Sequence, residues 1–125
     1  MTFGNTIPMA QKALDYLWKK QEITADNIAN VDTPNYRKKH ISFEETFRQK
    51  LQGARMVHDK DAMRQAIQTS RYEIHERSDT ARIDGNNVNM DVETTTLAQT
   101  TLQYQYLLQS VNSDVTRLRS VIKGQ

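Results

Sequence analysis

The residues that could carry reactive chemistry are few and scattered. Three histidines, His40, His58 and His75, are the natural metal ligands and proton carriers, but no two stand a helical turn apart. A zinc or nonheme iron site wants paired ligands at that spacing. Asp84-Gly85-Asn86-Asn87-Val88-Asn89 begins like a calcium loop. It then fails, because Val88 takes a ligand position, Asn89 stands where glycine must turn the chain, and Thr95 replaces the closing glutamate. A turn followed by a helix cap fits these residues better. Glu44 with Glu45, and His75 with Glu76, are acid–base pairs on paper. Sequence neighbours do not face one another on a helix, and no nucleophile stands beside a base. The expectation is a protein that is not an enzyme and needs no metal or cofactor. The basic run Arg37-Lys38-Lys39-His40 suits phosphate, yet net charge is only +2 and no docking helix accompanies it. It reads as a solvated strip facing acidic residues of a neighbour, with no nucleic acid as partner.

The densest polar chemistry is the hydrogen-bonding kind, from Asp26 to Tyr36. Asn27, Asn30, Asp32, Thr33 and Asn35 all carry side chains that bond readily to backbone. Pro34 has no amide hydrogen and pushes Thr33 out of the helical region, so a helix must stop by residues 31–33. Asn30 is the candidate for the left-handed residue that closes it. Tyr36 supplies an aromatic anchor at the end of the string. A plain connection needs one or two such residues.

Two long helices must present this string. From about Ile7 to Asn30 the positions Ala10, Leu14, Leu17, Gln21, Thr24, Ile28 and Val31 step by four and three, with Pro8 in the first turn. Trp18 lies beside this seam, as core or as an interface anchor. In the C-terminal part Leu97, Thr101, Tyr104, Leu108, Val111, Val115, Leu118 and Ile122 form a continuous two-per-heptad stripe. From Met90 to Lys123 that helix would be about 50 Å long. Asn89 or Asp91 can cap its start, and Gly124 follows as a stop. Its threonines, Thr94 to Thr96 with Thr100 and Thr101, make it marginal alone, so helix order and association should be linked. Between the helices, Ser42-Phe43-Glu44-Glu45 has the form of a capping box for a short helix lined by Phe43, Phe47 and Leu51 and ended by Gly53. The polar stretch after it reads as a loop or small hairpin, with one possible helical turn at Met63, Ala66 and Ile67.

The chain is therefore expected to be mainly all-α. Paired N- and C-terminal helices pack as in a coiled coil, with a short helix and a polar loop or small β-hairpin between them. The divisions are 1–36 (helix and Asn-rich turn), 37–53 (short helix), 54–88 (loop or hairpin) and 89–125 (C-terminal helix), all one unit. Hydrophobic content is 37%, below the roughly 45–50% of globular chains. Narrow seams are easier to fill from such a composition than a thick core. No cysteine is present, no signal-peptide pattern opens the chain, and no apolar run is long enough to span a bilayer.

The string Asn-Ile-Ala-Asn-Val-Asp-Thr-Pro-Asn-Tyr-Arg, Asn27 to Arg37, resembles the N-terminal signature of the flagellar basal-body rod and hook proteins. Arg82 to Glu93, with Asp-Gly-Asn-Asn-Val inside it, resembles the segment that opens the C-terminal helix in the same family. Gly53 to Thr80 is left largely unmatched. The resemblance implies a structural rod subunit that self-assembles helically around an export channel and transmits torque. It implies export through the flagellar type III gate without a cleaved signal, a periplasmic rod location and no direct membrane insertion. The partners it implies are sister copies, FlgC-, FlgF- and FlgG-like rod proteins, the FliE adaptor, the MS ring and the export gate. On this reading Asn27, Asn30, Thr33, Pro34 and Tyr36 shape the helix exit. Leu14, Leu17, Trp18, Ile28, Leu97, Tyr104, Leu108, Val111, Val115, Leu118 and Ile122 form helix and subunit interfaces. The alternative is a soluble coiled-coil export chaperone or regulator, which would be a stable helical dimer alone; a nucleic-acid-associated helical protein is a third class.

Overall fold

The computed structural model describes residues 3–43, 47–49, 52–53, 60–77 and 82–124. In chain order these form helix α1 (Phe3–Ala29), strand β1 (Lys39–Ser42), helix α2 (Lys60–Thr69), strand β2 (Glu73–Glu76) and helix α3 (Met90–Lys123). Residues 47–49 and 52–53 are also helical. The fold is mainly α, as expected.

The long helices pack antiparallel. Asn27 bonds Glu93, the Gln21 amide donates to the Thr101 hydroxyl at 3.1 Å, and the Trp18 and Tyr104 rings lie 5.9 Å apart. The two polar positions that made the first seam imperfect thus find uses. Gln21 pairs across the seam, and the Thr24 hydroxyl turns back to the Lys20 carbonyl at 2.7 Å. In α3, Thr95 and Thr101 likewise return their hydroxyls to carbonyls four residues earlier. Thr100 is 1% exposed, and its hydroxyl has no hydrogen-bond partner among the described residues. Asn89 caps α3, accepting from the Asp91 and Val92 amides, and Gly124 closes it with a φ of 70°.

One side of α1 is covered. Tyr16, Leu17, Ile23, Ile41 and Phe43 form the core, with Phe47, Tyr104 and Leu107 packed on it. Phe43 stacks between Tyr16 at 4.9 Å and Phe47 at 4.8 Å. The β1–β2 ribbon lies here, antiparallel, with Lys39 opposite Glu76 and Ile41 opposite Ile74. Tyr16 and Trp18, two residues apart, point to opposite sides of the helix. Trp18, on the other side, is 61% exposed.

Three expectations change. Helix α1 starts at Phe3, so Pro8 lies inside it and not in its first turn. The backbone bond that proline forfeits is offset by buried Ala10 and half-buried Ile7, Met9 and Ala13 along the helix. The stretch expected as loop holds α2, because Ala62, Met63, Ala66 and Ile67 share a face and Ile67 is 1% exposed. The Ser70 hydroxyl, bonded to the Ala66 carbonyl at 2.6 Å, helps close that helix. The strand at Glu73–Glu76 pairs with Lys39–Ser42, more than thirty residues away in sequence, and so is not one arm of a hairpin contained within 54–88. Residues 82–85 make the expected tight turn, closed by Gly85 N–H to the Arg82 carbonyl at 2.8 Å. The capping-box glutamate Glu45, its neighbour Glu44, Leu51 and His58 lie outside the described residues.

Candidate functional site

The helix exit and the start of α3 are built into one another. Asn27, 1% exposed, sits at the last turn of α1 and uses all of its hydrogen-bonding capacity. Its Oδ1 accepts from the Tyr36 hydroxyl at 2.9 Å and from Lys39 N–H at 3.0 Å. Its Nδ2 donates to the Lys39 carbonyl at 3.0 Å and to Glu93 Oε2 at 3.1 Å. Asn27 therefore satisfies the outer edge of β1 and ties it to α3. The other Glu93 oxygen takes Lys38 Nζ at 2.6 Å, and the Glu93 side chain is 3% exposed. A carboxylate this buried needs both partners, one charged and one neutral. Burial, followed by the fields of Asp26, Glu93 and Glu76, pushes the Tyr36 phenol up, keeping it a donor.

A second asparagine does the same work from the other motif. Asn86 is fully buried. Its Nδ2 donates to the carbonyls of Asn30 and Thr33, each at 2.8 Å, and its Oδ1 accepts from Val88 N–H at 2.8 Å. Each of those carbonyls also accepts a turn amide, Asn30 from Thr33 N–H at 3.1 Å and Thr33 from Tyr36 N–H at 3.2 Å, so Asn86 ties two consecutive turns of the exit together. Asn87 extends the pattern to the sheet: it accepts from Lys38 N–H at 2.6 Å and donates to the Arg77 carbonyl at 3.0 Å. It thus stands in for one rung of the β1–β2 ladder. The Arg82 guanidinium donates to the Val31 carbonyl.

The left-handed residue of the exit is Asn35, with φ of 63°, and not Asn30. Asn30 stays tied to the helix through its own Nδ2, which reaches the Asp26 carbonyl at 2.8 Å, while its Oδ1 takes the Thr33 hydroxyl at 3.0 Å. The reversal falls one residue after Pro34, where Asn35 N–H meets the Asp84 carbonyl at 2.8 Å. There Gly85, φ 82°, abuts Asn35 so closely that a Cβ would lie 2.4 Å from its Oδ1. Pro34 is exposed.

Of the residues expected to shape the exit, Asn27, Asn30, Thr33 and Tyr36 are drawn together. Sequence reasoning about the site passed over Lys38, Asn86, Asn87 and Glu93. The signal for the last three was present, as a second polar cluster at the start of a helix. The basic run is not simply solvated, since Lys38 holds Glu93 within the fold. His40 faces His75 across the ribbon. Its pKa is lowered by burial first, then by the charges of Arg77, Lys38, His75 and Lys20. No group of three or more possible metal ligands occurs among the described residues. A cleft of about 370 Å³ beside the ribbon is lined by Asn27, Lys38, Glu93 and their neighbours.

The interface residues divide. Leu17 is buried, and Leu14, Ile28, Leu97, Tyr104, Val111, Val115 and Leu118 are half-buried. Leu108 is 40% exposed and Ile122 77% exposed, joining Trp18 on an open edge. Leu107, absent from the heptad stripe, packs on the core beside the stripe residue Tyr104. Further along, Met9, Ala10, Ala13, Phe47, Leu107, Ser110, Val111 and Asp114 line an apolar groove of about 420 Å³.

Residues 8–37 match the family model described as flagella basal body rod protein. The flagellar basal body rod protein FlgB of Bacillus subtilis (strain 168) is 36% identical over 126 residues, covering 98% of this chain and 96% of the relative. FlgB of Escherichia coli (strain K12) is 32% identical over 124 residues, covering 91% and 90%. FlgB of Borreliella burgdorferi is 26% identical over 116 residues, covering 84% and 86%. The alignments run through both clasped motifs and the long helices on either side, so the chain belongs to the flagellar basal body rod proteins of the FlgB type, structural subunits of the rod.

Proposed function

We propose that the clasp and the open edge divide the work of this rod subunit. Asn27, Asn30, Thr33, Pro34 and Tyr36, with Asn86 and Glu93, fix the angle at which the chain leaves α1. The edge carrying Trp18, Leu108 and Ile122, together with the half-buried seam residues Leu14, Ile28, Leu97, Val111, Val115 and Leu118, is covered by neighbouring subunits in the rod. Large apolar side chains left in water, Trp18, Leu108 and Ile122 among them, are what an assembly subunit needs and a finished monomer does not. The observation that carries the reading is this exposure beside a fully satisfied polar clasp. The molecule works by shape and stiffness and not by catalysis. Its neighbours are sister copies, FlgC-, FlgF- and FlgG-like rod proteins, the FliE adaptor, the MS ring and the export gate, in the periplasmic part of the basal body. The test is Leu108→Asp in the bacterium: the chain should be made at normal levels, while rods fail to complete and motility is lost. Normal swimming with the variant present in basal bodies would overturn the proposal.

A further inference from the structure

The two ends of the open edge carry complementary chemistry. Asp15, Trp18 and Glu22 stand at helical spacing on one face of α1, all exposed. At the far end of α3, Arg119, Ile122 and Lys123 share a face in the same way, also exposed. One patch is acid, aromatic, acid; the other is base, aliphatic, base. Glu22 is partly used, pairing with Lys19 at 3.1 Å, but its side chain remains 53% exposed. Asp15, Arg119 and Lys123 have no ion-pair partner among the described residues.

The patches cannot meet within one molecule. Gln21 bonds Thr101, so Glu22 lies near that level of α3, and Lys123 is about 30 Å further along the helix. The same antiparallel register sets the last turn of α3 near the level of Phe3, and there Val121 and Ile122 are 62% and 77% exposed. The end of α3 is therefore a short exposed apolar tip with a basic rim.

We propose that this tip docks on the Asp15–Trp18–Glu22 face of a second copy of the chain. The contact joins two different patches, so each copy keeps one of each unused and the stack continues instead of closing into a dimer. Ile122 seats against the Trp18 indole, the kind of aromatic anchor that dominates interfaces, while Arg119 and Lys123 meet the two carboxylates at the rim. The inference rests on the rod reading and adds to it a particular contact and direction of growth.

The chain has no cysteine, so single cysteines report directly. Cells producing both Glu22→Cys and Lys123→Cys chains are oxidised mildly, and basal bodies are isolated. A disulfide-linked pair containing one chain of each kind is expected, well above that from a control pairing of Glu22→Cys with Thr95→Cys. Ile122→Asp, placed in the Lys123→Cys chain, should weaken that band about tenfold or more while circular dichroism of the purified chain is unchanged. If the chains are present in basal bodies but the mixed pair does not exceed the control, the docking contact is wrong and the rod reading stands. Like-with-like pairs in excess would also overturn it. Absence of the chains from basal bodies, with wild-type chain present, would remove the rod reading and the contact together.

Discussion

Replacing Asn27 by alanine removes four hydrogen bonds at once while deleting only a few atoms. The Tyr36 hydroxyl, both backbone groups of Lys39 and one oxygen of Glu93 would lose a partner. A buried polar group left unpaired costs about 1–3 kcal/mol, with the higher figures for charged groups. Four such losses cannot simply add, because the adjoining cleft, lined by Asn27, Lys39 and Glu93 themselves, lets water replace some of them. A net loss of about 3 kcal/mol is expected, a large share of the stability of a chain this size. Asn27→Asp is the sharper variant, because it keeps size and acceptors but deletes both donors and sets a second carboxylate about 3 Å from Glu93, where like charges repel. It should be at least as damaging as alanine. Urea unfolding followed by fluorescence of the one tryptophan, Trp18, reads the difference. A loss below about 1 kcal/mol for alanine, or a neutral aspartate, would refute the clasp as an energetic unit.

Further outcomes follow from the same contacts. Gly85→Ala should cost about 2–3 kcal/mol in the same urea titration, from the left-handed backbone and the collision with Asn35. Leu107→Ala should lower monomer stability by about 1–3 kcal/mol, whereas exposed Leu108→Ala should change it by less than about 1 kcal/mol. For His40, the folded pKa lies below the unfolded one, so the unfolded chain binds more protons in acid. Its contribution is intact above the ordinary imidazole pKa of about 6.5 and is lost as pH falls below it. His40→Gln should flatten that part of a stability–pH curve; an unchanged slope would contradict the assignment.

The long helices were legible because their seams repeat every three or four residues over many turns, and packing α1 on α3 rewards that pattern directly. The same pattern missed Leu107, because the two helices meet along a line slightly rotated from the heptad stripe. That rotation puts Leu107 inward and leaves Leu108 at the edge. The asparagine string was visible as excess hydrogen-bonding capacity, but its wiring was not. Asn30 could have closed the helix in the left-handed form; the Asp26 carbonyl and the Thr33 hydroxyl hold it otherwise, and the reversal falls to Asn35 beside Gly85. Lys38 and Glu93 meet from distant segments, and no local rule joins them. Helix α2 was hidden for a similar reason, since its one fully buried residue, Ile67, draws its value from tertiary packing.

Solvent access at Leu108, free and assembled, tests the edge most directly. With cysteine introduced there in an otherwise cysteine-free chain, a maleimide reagent should label the purified subunit rapidly and leave the same residue unlabelled in intact basal bodies. Equal labelling in both would mean that no neighbour covers this side of the helix pair, and the assembly surface would have to lie elsewhere.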